Sequence, residues 1–140
     1  MSNLSDVLGG IKTVIEANVS DIKVFDYPVD SVSVTPSVIL VPRSVDYQLA
    51  FGGNSFSMEI AAIVLVSSVD DAAGFAKLYD HVDPTDTSSS IKRALEQDPT
   101  LDGKADDSSV MRAEGIGRKS LGGGNYFGFD LIIWVIKTVG

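Results

Sequence analysis

The sequence has no cysteine and only one histidine, His81. The first absence removes disulfides and thiolate nucleophiles, and the two together leave no ligand set for a structural zinc site. A Ser-His-Asp triad would have to recruit His81, which falls on a predicted helix between Asp80 and Asp83, and no glycine-any-serine-any-glycine elbow occurs. Basic residues are scarce as well: 11 Lys and Arg stand against 19 Asp and Glu, a formal charge of −8. That balance repels phosphate backbones and anionic membranes, so gripping nucleic acid is not the expected role. No long apolar run is present. The stretch Leu131 to Ile136 is far shorter than the roughly 20 residues a membrane span requires. Met1 to Asp6 is polar and acidic and lacks the basic start of a signal peptide, so the expectation is a protein made and used in water, with no membrane partner.

What is present is ordinary globular material, with 44% apolar and 21% charged residues in 140. The length suits one domain spanning residues 1–140. Leu4, Val7, Leu8, Ile11, Val14 and Ile15 recur at helical spacing after Ser2, Asn3 and Ser5, any of which can cap. Gly9 and Gly10 weaken that helix; packing is expected to rescue it, the alternative being close approach to another backbone. A short strand, Lys23 to Tyr27, stops at Pro28; a second, Val38 to Val41, is expected to end at Pro42 as a strand buried on both faces. Val45, Tyr47, Leu49 and Phe51 alternate with polar or small residues. Across a Gly52-Gly53-Asn54 turn, Phe56, Met58, Ile60, Ala62, Val64 and Val66 share one strand face.

Ser67 and Ser68 followed by Asp70 and Asp71 read as a helix start, with Phe75, Leu78, Tyr79 and Val82 as its buried stripe. A short helix over Ile91 to Glu96 follows a polar linker, Thr85 to Ser90. Leu101 to Ser108 reads as an acidic loop. The chain finishes with a second hairpin. Its first strand, Val110 to Leu121, is polar and exposed; the turn is Gly122 to Asn125. The return strand, Tyr126 to Val139, puts Phe127, Phe129, Leu131, Ile133 and Val135 on one face and Tyr126, Ile132, Trp134 and Ile136 on the other. The order predicts an α+β domain, a largely antiparallel sheet with long hairpins packed against two to three helices.

Candidate chemistry is thin. Asp98, Asp102, Asp106 and Asp107 lie close enough in sequence to suggest a hard cation, but the twelve-residue calcium loop is not matched, and a solvated acidic loop is expected. Gly115-Ile116-Gly117-Arg118-Lys119-Ser120 imitates two glycines of a dinucleotide fingerprint yet leads into no helix. No catalytic residue, metal or cofactor is therefore expected. What remains is surface. Two glycine-rich hairpin tips bordered by aromatic and basic residues suggest protein contacts, with Phe51, Gly52, Gly53, Asn54 and Phe56 at one and Arg112, Arg118, Lys119, Leu121, Asn125, Tyr126 and Phe127 along the other. The alternative at both tips is that the rings fold back onto their own sheet.

Three segments together resemble a known family. They are Ser33-Val34-Thr35-Pro36-Ser37-Val38-Ile39-Leu40-Val41-Pro42 with Asp46-Tyr47 and Phe51-Gly52; Ser90 to Gly103; and Gly115-Ile116-Gly117-Arg118 with Gly123 and Tyr126 to Asp130. In this order and spacing they resemble the small neck proteins of actinobacterial siphophages, of the lambda-type tail-terminator group. The resemblance implies a homo-oligomeric, hexameric ring in the tail or neck of the virion, assembled in the host cytoplasm. Its partners would be the major tail tube protein and a head-completion or connector protein, with DNA only passing through the lumen. It implies no catalysis. A head-closure or adaptor protein, a tube subunit, a small carboxylate-dependent enzyme and a ligand-binding module are the rival expectations.

Overall fold

The computed structural model describes residues 3–19, 22–29, 32, 35–47, 55–67, 71–85 and 90–138. Helix α1 spans Leu4–Asn18 and begins where the chain can satisfy its first amides. The Asn3 side chain accepts the Asp6 amide at 2.9 Å, and the Asp6 carboxylate accepts the Asn3 amide at 3.0 Å. Val7, Leu8, Ile11, Val14 and Ile15 form the buried stripe. Of the two glycines, Gly9 meets only the Asp26 carboxylate, 3.9 Å from where a Cβ would sit. A Cβ on Gly10 would lie 2.2 Å from the Leu101 carbonyl oxygen. The expectation of a weak helix merely rescued by packing is thus corrected at Gly10, where a bare backbone is what admits a second backbone.

Five strands follow the order β1-β2-β3-β5-β4, with β1 at Lys23–Phe25, β2 at Ser37–Asp46, β3 at Ser55–Ser67, β4 at Asp107–Leu121 and β5 at Gly124–Thr138. Only β1 and β2 are parallel; the other three pairings are antiparallel. Helices α2 (Asp71–Val82) and α3 (Ile91–Glu96) join α1 on one side. The protein is an α+β domain. The main core gathers Val38, Leu40, Met58, Ile60, Ala62, Val64, Val66, Phe127, Phe129, Leu131, Ile133 and Val135 from the strands under these helices. Both long strands therefore bury the faces that alternation predicts.

Pro42 does not end a strand. β2 runs through it, pairing Pro42 with Ile60, and a bulge at Arg43 shifts the register before Ser44 pairs with Glu59. The tolerance has a simple cause. Among the described residues β1 pairs only as far as Ile39 and no other strand flanks β2 on that side beyond it, so a missing amide there disrupts no described ladder. The last turn is also tighter than expected: Leu121 pairs with Gly124, leaving two residues, Gly122 and Gly123, at φ +56° and +82°.

In α2 the predicted stripe is corrected at one position. Leu78 is fully buried and Phe75 and Val82 are half-buried, but Tyr79 is 56% exposed while His81 is buried. The start predicted at Ser68 and Asp70, the linker residues 86–89, and Leu49 to Asn54 lie outside the described residues.

The acidic loop is exposed, with Asp102, Asp106 and Asp107 at the surface as expected, and it is also held by its own hydrogen bonds. Asp98 accepts from the Thr100 amide (3.2 Å), the Thr100 hydroxyl (2.6 Å) and the Asp102 amide (2.9 Å). These bonds pull its pKa below the ordinary value, the Thr100 hydroxyl contributing most. The turn they hold delivers Leu101, at φ +55° and fully buried, beneath Gly10. Asp106 accepts the Thr138 amide at 3.0 Å and the Thr138 hydroxyl, tying the loop to the end of β5.

Candidate interaction surface on the open sheet face and its edge

The face of the sheet turned away from the helices carries two kinds of material. Toward one end, Val32, Ile39 and Leu65 form a small second core with Phe25, Val29, Val41, Ile63, Leu121 and Tyr126 packed against it. The Tyr126 hydroxyl donates to the Val32 carbonyl at 3.0 Å, so part of the segment between β1 and β2 folds over this patch. Beyond it lies a chain of charges. Arg43 stands 3.5 Å from Asp130 and 3.8 Å from Glu114; Lys119 stands 3.2 Å from Asp130; Arg112 bonds Glu114 at 3.0 Å. Glu114 raises the Arg112 pKa above its ordinary value, chiefly through that hydrogen bond, and Glu59 adds a weaker pull.

Local backbone makes this network possible. Arg43 sits in the β2 bulge, and the register puts the small Ala61 of β3 between Val41 and Ile132, so a long side chain from β2 can reach β5 and β4. Gly128 leaves room for the Lys119 stem, whose Cγ would be 3.0 Å from any Cβ there. The glycines that imitate a dinucleotide fingerprint form a bulge instead: β4 shifts register between Glu114 and Gly117, with Gly115 at φ +64°. A second bulge falls at Met111, between Val110 and Arg112.

The residues expected at the hairpin tips fare differently. Phe51, Gly52, Gly53 and Asn54 lie outside the described residues. Phe56 is half-buried against the main core. Phe127 is fully buried, its ring 4.1 Å from that of Phe75, which in turn stacks on Tyr79 at 5.9 Å; the Arg118 guanidinium covers Phe127 at 5.0 Å. Tyr126 and Leu121 turn into the second core. In the second hairpin the rings thus fold back onto the sheet, and the polar members stay outside. Arg112 and Asn125 are exposed, and the Ser120 hydroxyl donates to the Asn125 side chain at 3.4 Å. Lys119 is held by Asp130.

Sequence reasoning missed Arg43, Asp130, Met111 and Ile116. The first two had no motif to mark them. The last two carried a signal: each is a large apolar residue inside an otherwise polar strand, and each is exposed, at 58% and 48%. Both lie on β4, which among the described residues pairs on one side only. Beside it run two adjoining grooves. One of about 130 Å³, lined by Val82, Pro84, Val110, Met111 and Ala113, meets one of about 190 Å³, lined by Leu95, Glu96, Pro99 and Ser108. Lys92 lies between them.

Among the described residues no three His, Asp or Glu side chains gather as metal ligands, and no helix is long and apolar enough to cross a membrane. No protein-family model and no curated protein matches the sequence.

Proposed function

We propose that this chain is a structural subunit of a tailed-phage neck, a tail terminator that forms a ring on the finished tail tube and offers a second face to the head-completion complex. The observation that carries this reading is how the acidic side chains are used. Asp98 holds a turn, Asp106 ties its loop to the end of β5, and Glu114 and Asp130 are ion-paired on an open sheet face. Carboxylates engaged in this way suit a molecule that presents shaped surfaces to neighbours. The resemblance of three ordered segments to actinobacterial siphophage neck proteins supplies the particular role. A ring subunit can stop a polymer by presenting one face that stacks on the tube and another that does not. The negative charge of the chain suits a passage through which DNA slides without sticking.

Electron microscopy of particles from a phage lacking this gene tests the role directly. Overlong tubes are the expected result. Normal tails beside unattached heads would move the protein to the connector, and intact infectious particles would end the structural reading.

A further inference from the structure

We propose that two copies of this chain pair through β4, antiparallel about a two-fold axis at Ala113, so that their sheets join edge to edge. The inference is separate from the ring reading: a two-fold contact joins subunits in pairs, whereas a ring closes through head-to-tail contacts.

The evidence is a match between β4 and its own reverse. With Ala113 facing Ala113, Arg112 of each copy faces Glu114 of the other, and Asp107 faces Lys119. Opposite charges thus meet at four positions and like charges at none. Residues directly opposed in an antiparallel pair must share a sheet face. The register with β5 puts Asp107, Ser109, Arg112, Glu114, Gly117 and Lys119 on the open face, and Ser108, Ala113 and Arg118 on the helix side. Every pair whose two residues both have a β5 partner obeys this rule: Asp107 with Lys119, Ser109 with Gly117, Arg112 with Glu114, Ser108 with Arg118.

The rule holds because the two bulges are symmetric about Ala113. Bulges on an edge ordinarily deter strand addition. Here Met111 of one copy opposes Gly115 of the other, so each irregularity meets its counterpart with a glycine on one side. The same register sets the exposed Ile116 opposite Val110, beside the groove formed by Val82, Pro84, Val110 and Met111. Arg118 comes opposite Ser108, where Glu96 lines the adjoining groove. The chain as a whole carries −8 and repels its copies, yet β4 holds three cations and two carboxylates, so this edge is free of that repulsion.

Because the protein has no cysteine, a single introduced thiol reports the register. Opposed Cα atoms in an antiparallel pair lie about 4.5–5.5 Å apart, within disulfide reach. Ala113→Cys should therefore cross-link rapidly under mild oxidation. Ser108→Cys, whose two thiols would be roughly 30 Å apart, should not. Arg112→Glu and Glu114→Arg, each checked for folding by its melting curve, should each raise the dimer dissociation constant roughly tenfold or more in native mass spectrometry. Mixed in equal amounts they should form a heterodimer, since every facing pair is then complementary again. The proposal is overturned if Ala113→Cys links no faster than Ser108→Cys, or if the mixed variants stay apart. A ring that assembles while Ala113→Cys remains unlinked would refute this contact and leave the neck reading standing.

Discussion

The two faces of this sheet share the same strands and have opposite chemistry. On the helix side, β3 presents Met58, Ile60, Ala62, Val64 and Val66, all apolar and all essentially inaccessible. On the other side, the same strand sets Glu59 two residues from the buried Ala61, and its neighbours bring Arg43, Glu114, Asp130 and Lys119. Apolar burial contributes about 25 cal/mol per Å². Exposed ion pairs are worth roughly 0–1 kcal/mol each and weaken with salt. Most of the stability therefore resides on the helix side, with a smaller share in the second core, and the charged part of the open side can vary for contact without unfolding the domain.

Substitution at matched positions would break that comparison if it is wrong. Phe129→Ala removes a fully buried ring from the main core and should cost about 3–5 kcal/mol in urea unfolding. Ile63→Ala, across the register from Asp130 and half-buried in the second core, should cost roughly 1–2 kcal/mol. Equal losses would mean that the open face is covered as well as the helix side.

A smaller effect sharpens the same point at the helix layer. Gly10→Ala forces a Cβ against the Leu101 carbonyl, a backbone atom that cannot rotate away, and should destabilise by about 1–3 kcal/mol. Gly9→Ala, with open space beside it, should stabilise by up to about 1 kcal/mol through helix propensity. Adjacent glycines giving opposite signs in thermal melting would show that α1 is positioned by the Leu101 turn; the same sign for both would place the contact elsewhere.

Most of the architecture was legible because it rests on periodicity. The stripe from Val7 to Ile15, the apolar face of β3 and both faces of β5 follow from spacing alone. The failures share a cause. Pro42, Gly10 and Tyr79 were misread because the deciding partner lies far away in sequence: the shortness of β1, the carbonyl of Leu101, and the packing that takes in His81 instead of Tyr79. The candidate surface was legible only in part. Arg112 and Lys119 could be proposed from a polar strand, but Arg43 joins them through a bulge and across β3, a relation that no local pattern encodes. Phe127 was offered as a tip residue, although its alternation with Phe129 and Leu131 already marked it as core.

The smallest expected effect concerns the Leu101 turn and depends on pH. The Asp98 carboxylate is held below its ordinary value of 3.8 by the Thr100 hydroxyl and by two backbone amides. A carboxyl whose folded pKa is depressed binds fewer protons folded than unfolded. Its contribution is therefore complete above the unfolded value and fades as the pH drops from about 3.8 through the lower folded value. Asp98→Ala should lower the melting temperature by a few degrees at neutral pH, where the charged turn is intact. The gap between variant and parent should narrow as the medium is acidified past 3.8, because the parent loses what the variant never had. Since Leu101 reaches Gly10 only through this turn, the same variant should also weaken the penalty of Gly10→Ala when the two are combined. Strict additivity, or a gap that stays constant into acid, would mean that Asp98 does not set the position of Leu101 beneath α1.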